Sequence, residues 1–498
     1  MPRSVRLHRD RKPEVLRAIE RNGFLTQGEL AAHLGIVLST LNNFINSKRV
    51  YISTFETICE ALSLDKREML QPLGQDSEKE TQPQKSPLPV SFSAYDDCWV
   101  GREKLVEELR EQLTNSCRLL LILGLTGVGK TALAERMAFS LQDWFESDWQ
   151  HGFMRASFEK AVQPTDFAST ATQWLEKWDT KIPPQERKPE QLLGYLLDYL
   201  QHNRVLVLVD SLESLLTGNE EEGWGNFADP WWERFFLGVL LAESFPSRII
   251  ITSQDLPLQP IEQRYSNLWH RHVLTGLDEA EQEALFEITG LDVSAASSDK
   301  PLLMRLGKAY KGHPLVLRAI VGEIWESFEG NVEAYWEEVK SKIEDVEKVL
   351  AEAEADARRA VGSDDNWKLH KLTFKVRLEV NKQRLRSVFE RLSTQVPDAY
   401  WLICAASVYR IPVQAQGWLV QLANLVKRLE RQTCGEERQE RALLELSHRF
   451  LVEESIDRNN KRVLGLHNLV RSVALEHYQQ LLSVWKAVER GETEMGRR

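Results

Sequence analysis

No Cys-x-x-Cys pair and no histidine at metal-ligand spacing accompanies the five cysteines, Cys59, Cys98, Cys117, Cys404 and Cys434, which are scattered through 498 residues. That excludes a disulfide-stapled scaffold and a zinc module, and it reads the cysteines as reduced, mostly buried thiols. No apolar run approaches the ~20 residues needed to cross a bilayer. The basic start leads into more charge instead of an apolar segment, so neither a signal peptide nor a membrane partner is expected and cytoplasm is the expected compartment. Positive charge is also in short supply: 63 Lys and Arg face 74 Asp and Glu, a net charge of −11. Uniform coating of nucleic acid is therefore disfavoured, although residues 1–21 are a local exception, with seven basic against three acidic side chains.

What the chain does have is length and an ordinary globular composition, 42% hydrophobic and 28% charged, enough for several domains. One stretch organises it. Cys117 to Leu123 is an unbroken apolar run after Arg118, as in a strand buried on both faces of a parallel sheet, and it continues as Gly124-Leu125-Thr126-Gly127-Val128-Gly129-Lys130-Thr131 into the helical pattern Ala132-Leu133-Ala134-Glu135. This is a P-loop. Its glycines let backbone N–H groups, from Gly124 and Thr126 through Ala132, close around phosphates; Lys130 brings a positive charge to the β/γ oxygens, and the Thr131 hydroxyl suits Mg²⁺. The helix beginning there adds its positive end to the same anion site.

A second buried run, Arg204 to Asp210, ends in an acid that can orient Mg²⁺ through water, so Lys130 and Asp210 are the expected catalytic pair. Ser247 to Gln254 is a further strand. Between them Trp224, Trp231, Trp232, Phe235 and Phe236 form an aromatic cluster that reads as core or as a partner surface. His272-Val273-Leu274 ends the strand series, and a helix capped at Asp278 follows. Residues 332–361, rich in Glu, Lys, Ala and Arg, read as a long solvated connecting helix. Strands at 451–456 and 463–467 flank the turn signal Arg458-Asn459-Asn460.

The order of these landmarks, with Val100-Gly101-Arg102-Glu103 upstream, Gly312-His313-Pro314-Leu315 downstream and Leu466-His467-Asn468 near the end, resembles the NB-ARC branch of the STAND ATPases over roughly residues 95–480. The resemblance implies an α/β P-loop NTPase domain with a parallel sheet, then a helical subdomain and a winged helix from Leu385, which together hold ADP in the off state. It also implies that Val100, Gly101, Arg102 and Pro314 lie beside the adenine and that His467 meets the β-phosphate. Exchange for ATP would free the winged helix and promote self-association. Two positions depart from the family: Ser211 stands where a second acid is usual, with Glu213 the nearest carboxylate, and Gln254 stands where an arginine is common. Both point to a slow ATPase acting as a signal-transduction switch.

At the N-terminus, Thr26 to Phe44 pairs a capping box at Thr26 and Glu29 with small Ala31, a turn at Gly35, and apolar Ile36, Leu41 and Phe44. This resembles the helix-turn-helix of the Cro/C1-like repressors, an all-α unit. The resemblance implies that Ser39, Thr40, Asn42, Asn43 and Asn46 face the major groove while Lys48 and Arg49 contact phosphate. The expected domains are 1–70 (helix-turn-helix), 71–94 (flexible linker), 95–276 (P-loop domain), 277–345 (helical subdomain), 346–384 (connecting helices), 385–480 (winged helix) and 481–498 (tail). The expected function is an ADP/ATP switch with a DNA-binding regulatory domain and an unknown sensor or effector protein as partner. A defence-type switch recruiting a protein effector through residues 1–70, and a P-loop motor ATPase, are the alternatives. No 20–50-residue repeat is found after the final landmark.

Overall fold

The computed structural model describes residues 4, 5, 7, 8, 11–22, 30, 34, 41, 44, 45, 50–62, 64, 66–69, 99–141, 144, 152–158, 164–219, 223–256, 265, 267–361, 366–456 and 462–489. The positions read as groove-facing or phosphate-facing, Ser39, Thr40, Asn42, Asn43, Asn46, Lys48 and Arg49, lie outside the described residues, as does the expected linker over 71–94. Around them, β1 (Ser4–Val5) pairs antiparallel with β2 (Val50–Tyr51), and α1 (Lys12–Arg21), α2 (Ile52–Ala61) and the short α3 (Lys66–Met69) share a core. Leu41 and Phe44 are fully buried there, Phe44 meeting Phe55 edge-on with ring centroids 5.2 Å apart. The expected all-α unit is thus corrected: its first residues form a strand pair, which the basic composition of the start concealed.

The next layer is a five-stranded, all-parallel sheet. Helix α4 (Glu103–Thr114) leads into β3 (Leu119–Leu123), then α5 (Lys130–Ser140), β4 (Phe153–Ser157), α6 (Phe167–Lys177), α7 (Pro189–His202) and β5 (Leu206–Asp210). After a hairpin, β6 (Leu216–Asn219) and β7 (Gly223–Phe227), come α8 (Pro230–Leu241), β8 (Arg248–Ser253) and β9 (Trp269–Val273). The strand order is β4-β5-β8-β3-β9. One strand therefore separates the P-loop strand from the acid-bearing one, and the tip of β8 comes out between Lys130 and Asp210. β3, β5 and β8 are buried at every position, which their near-continuous Leu, Ile and Val content requires of a sheet covered on both faces. On one face Trp232, Phe235 and Phe236 pack with Phe167 and Trp174, so these three members of the aromatic cluster are core.

Beyond the sheet, α9 (Glu279–Ile288), α10 (Lys300–Ala309) and α11 (Pro314–Phe328) form a helical subdomain with its own core. Two 30-residue helices follow, α12 (Val332–Val361) and α13 (Asn366–Gln395), packed against each other. The reading of 332–361 as a solvated connector is corrected: Val332, Tyr335, Trp336, Val339, Ile343, Leu350 and Ala357 form a buried stripe on α12. The expected boundary at 384/385 falls inside α13, which runs unbroken from Asn366 to Gln395.

The C-terminal lobe comprises α14 (Pro397–Ala406), β10 (Val413–Gln414), α15 (Ala415–Leu429), α16 (Glu436–His448), β11 (Glu453–Ile456), β12 (Arg462–Gly465) and α17 (Asn468–Glu489). Its strands form an antiparallel sheet in the order β10-β12-β11, shorter than expected at both hairpin strands and with β10 as an unforeseen third member. The expected tail boundary at 480/481 lies inside α17. Among the described residues no helix is long and apolar enough to cross a membrane.

Candidate functional site

The P-loop turns from β3 into α5 by left-handed backbone at Gly127 (φ 82°) and Gly129 (φ 97°), a conformation that costs other residues roughly 1–2 kcal/mol each. A side chain at Gly127 would also come within 2.8 Å of the His313 ring, so the loop has room for backbone only. Lys130 opens α5 and its Nζ donates to the carbonyls of Gly124 (3.0 Å) and Leu125 (2.9 Å), which holds the ammonium over the loop. Arg102, itself left-handed at φ 65°, braces the loop from behind: its guanidinium donates to the carbonyls of Val128 (3.0 Å) and Thr275 (3.0 Å), and its N–H donates to Glu281 Oε1 (2.7 Å). Glu281 also completes the capping box of α9, so the Val100-Gly101-Arg102-Glu103 peptide is tied at once to the P-loop and to the helical subdomain.

Asp210 ends β5 fully buried. Its Oδ1 accepts from the hydroxyls of Thr131 (2.9 Å) and Thr252 (2.6 Å), and its Oδ2 from Arg155 of β4 (3.1 Å). Burial pushes its pKa up, but Arg155 and the two hydroxyls outweigh that and hold it below the ordinary aspartate value. The carboxylate is therefore ionised at neutral pH. Thr131 and Asp210 present hard oxygen donors side by side, which suits Mg²⁺.

Ser211 adopts φ 65° and turns the chain into a 3₁₀ segment, Leu212–Leu215, that carries Glu213 back into the site. Glu213 is buried, and both its oxygens accept from Gln254 at the tip of β8: Oε2 from the backbone N–H (3.2 Å) and Oε1 from the side-chain amide (3.1 Å). Burial raises its pKa above the ordinary glutamate value, opposed by the nearby Lys130 charge. The two positions that departed from the expected pattern, 211 and 254, thus deliver and hold one carboxylate.

A cavity of about 400 Å³ joins these groups to the rest of the molecule. Of the residues expected at a nucleotide, Val100, Arg102, Thr126, Gly127, Val128, Gly129, Lys130, Thr131, Ala132, Pro314 and His467 all line it, with Asp210; Gly101 and Gly124 do not. Pro314 enters as the first residue of α11. His467 caps α17, its Nδ1 accepting from Leu469 N–H (3.2 Å), and burial lowers its pKa, so it is neutral.

Among the lining groups not singled out in the sequence for this site are Arg155, Arg318, Trp99 and Phe450. Another residue acts from behind it. His313 is buried at the cap of α11, where its Nδ1 accepts from Val316 N–H (3.4 Å) and its Nε2 bonds the Thr126 carbonyl (2.9 Å). Burial takes its pKa down to about 3, which keeps the one tautomer able to make both bonds. Its place just before a helix-opening proline was the available signal.

Residues 91–274 match the family model Novel STAND NTPase 1, which supports a STAND-class P-loop NTPase and nucleotide binding. An uncharacterised WD repeat-containing protein of Nostoc sp. is 25% identical over 326 residues, 62% of this chain and 25% of that protein. Among solved structures, a STAND protein with a tetratricopeptide repeat sensor from Pyrococcus horikoshii aligns at TM-score 0.45 and 15% identity over 82% of this chain and 48% of that one. Cdc6p from Pyrobaculum aerophilum aligns at TM-score 0.31 and 11% identity over 79% and 99%. The chain thus spans about a quarter of the Nostoc relative and about half of the Pyrococcus one.

Proposed function

We propose that the chain is an ADP/ATP-dependent switch of the NB-ARC type, in which the C-terminal lobe, read as a winged helix, closes over bound ADP and is released when ATP replaces it. The observation that supports this reading is a single cavity lined by three separate parts of the chain: the P-loop with Asp210, Pro314 of the helical subdomain, and His467 of the C-terminal lobe. In this reading the phosphates lie on the P-loop amides and Lys130. The purine lies among Val100, Leu277, Leu285 and Pro314. His467 reaches the phosphates from the lobe, and so makes closure depend on which nucleotide is present.

Thr131 and Asp210 would hold Mg²⁺, which when bound supplies charge neutralisation at the phosphates. Glu213 is the group placed to take a proton from an attacking water, and the burial that raises its pKa makes it a stronger base than an exposed glutamate. Output passes through residues 1–70, read as a helix-turn-helix that binds DNA, and through self-association of the open form.

The direct test is the nucleotide that accompanies the full-length protein through purification, identified by chromatography after denaturation. Retained ADP in near-stoichiometric amount is expected, with slow exchange; an empty or freely exchanging site overturns the switch. DNA retention by the full chain in the ADP and ATP states, with a salt series to separate phosphate contacts from base readout, tests the output.

A further inference from the structure

Helix α13 reaches the hydrolytic end of the cavity by contacts that no P-loop signature contains. Its His370 is buried, with the ring against the backbone of Gln254 and stacked on Trp367 at 5.5 Å between centroids. Burial, and then the charges of Arg377 and Lys130, bring the ring's pKa down to about 4, so it sits there neutral. One residue on, the Lys371 ammonium lies 3.6 Å from Asp255 Oδ2. Gln254 and Asp255 are consecutive at the tip of β8, and Gln254 holds both oxygens of Glu213. The contacts therefore form a continuous chain from α13 through the β8 tip to the carboxylate.

The same helix is fixed at its other end both to the lobe that would open and to the helical subdomain it would leave. Arg386 makes a two-pronged pair with Glu476 of α17, at 2.9 and 3.3 Å. Arg384 and Arg391 meet the fully buried Glu323 of α11. Gln395 accepts from Ser327 (2.9 Å). His370 and Arg386 are separated by roughly 24 Å of helix at 1.5 Å per residue, a stiff span with no proline within it.

We propose that His370 and Lys371 are positioning residues for the Glu213 carboxylate, acting through Gln254 and Asp255, so that the hydrolytic group is aligned only while α13 is seated between the P-loop domain and the C-terminal lobe. This rests on the reading of the cavity as a nucleotide site. A carboxylate that activates water must be held within about half an ångström of its working position. Of the contacts that hold the β8 tip, those from α13 are the ones connected to the moving lobe. Hydrolysis is thereby coupled to lobe position without any new contact to nucleotide.

The experiment uses the full-length protein with Mg-ATP and compares single-turnover hydrolysis with equilibrium binding of a fluorescent ADP analogue. Lys371→Ala, at a half-exposed position outside the core, and His370→Ala should each slow hydrolysis by about 10- to 100-fold, with ADP affinity changed less than about twofold. Lys371→Arg should keep the rate. Glu213→Gln combined with His370→Ala should be no slower than Glu213→Gln alone, since both act on one group. Without nucleotide, the Gln254 amide should exchange its hydrogen faster in His370→Ala. Rates unchanged or raised in both alanine variants, or an additive loss in the double variant, overturn the proposal while leaving the switch reading intact. Absence of ADP binding in the unmodified chain overturns the switch reading first.

Discussion

The cavity has two walls built on different principles. The phosphate wall is fixed by backbone: left-handed glycines, carbonyls clamped by Arg102 and Lys130, and a carboxylate that accepts three hydrogen bonds. The opposite wall, from Phe450 to Glu454 and Leu466 to Asn468, is held by side-chain packing and by a few polar links to α11. One close contact is at Gly322, where the α11 backbone lies so near Arg449 that an added Cβ would stand 2.5 Å from the Arg449 Cα. Arg449 reaches Ser327 (3.1 Å) and His448 reaches Glu326 (3.3 Å). A wall made this way can detach as a unit, whereas the phosphate wall cannot move without unfolding the loop.

The largest effect that would break this contrast comes from Lys130→Ala, expected to weaken ADP by about 100-fold or more, the scale of a lost charge-assisted contact, with the circular dichroism spectrum unchanged. Nucleotide binding that survives would mean the phosphate wall is not where affinity resides. Next is Gly322→Ala. Helix propensity favours alanine by about 1 kcal/mol, but crowding against backbone costs about 1–3 kcal/mol, so the lobe should loosen and ADP should leave about tenfold faster in stopped-flow chase. A slower release would show that the lobe is not the gate.

The smallest effect sharpens the seam between the walls. His313 titrates at about 3 in the folded chain against about 6.5 when unfolded. The unfolded state therefore binds its proton first, and stability should fall as pH drops from about 6.5 towards 3. His313→Asn should flatten that part of the dependence of the urea midpoint on pH.

The phosphate wall was readable because its chemistry is local: the P-loop is one continuous stretch, and a strand ending in Asp210 announces itself. Arg155 was not readable, since nothing near it in sequence says that it will meet Asp210, 55 residues on. His313 bonds a carbonyl 187 residues away, a contact that nothing in the local sequence around Pro314 encodes. Ser211 marks a departure from the family's second acid, with Glu213 the nearest carboxylate, but sequence alone does not show the left-handed turn at Ser211 that brings Glu213 into the site. Helices α12 and α13 were visible as helices, but their charged surfaces hid the buried stripe and the contacts at both ends.

The pairing of Ser4–Val5 with Val50–Tyr51 has a practical corollary for anyone asking whether the arginines at the start touch DNA. Trimming the first residues would strip a strand from the unit, so lost binding could reflect collapse as easily as lost charge. Reversing the charge of exposed Arg17 while leaving the amino terminus whole separates the two.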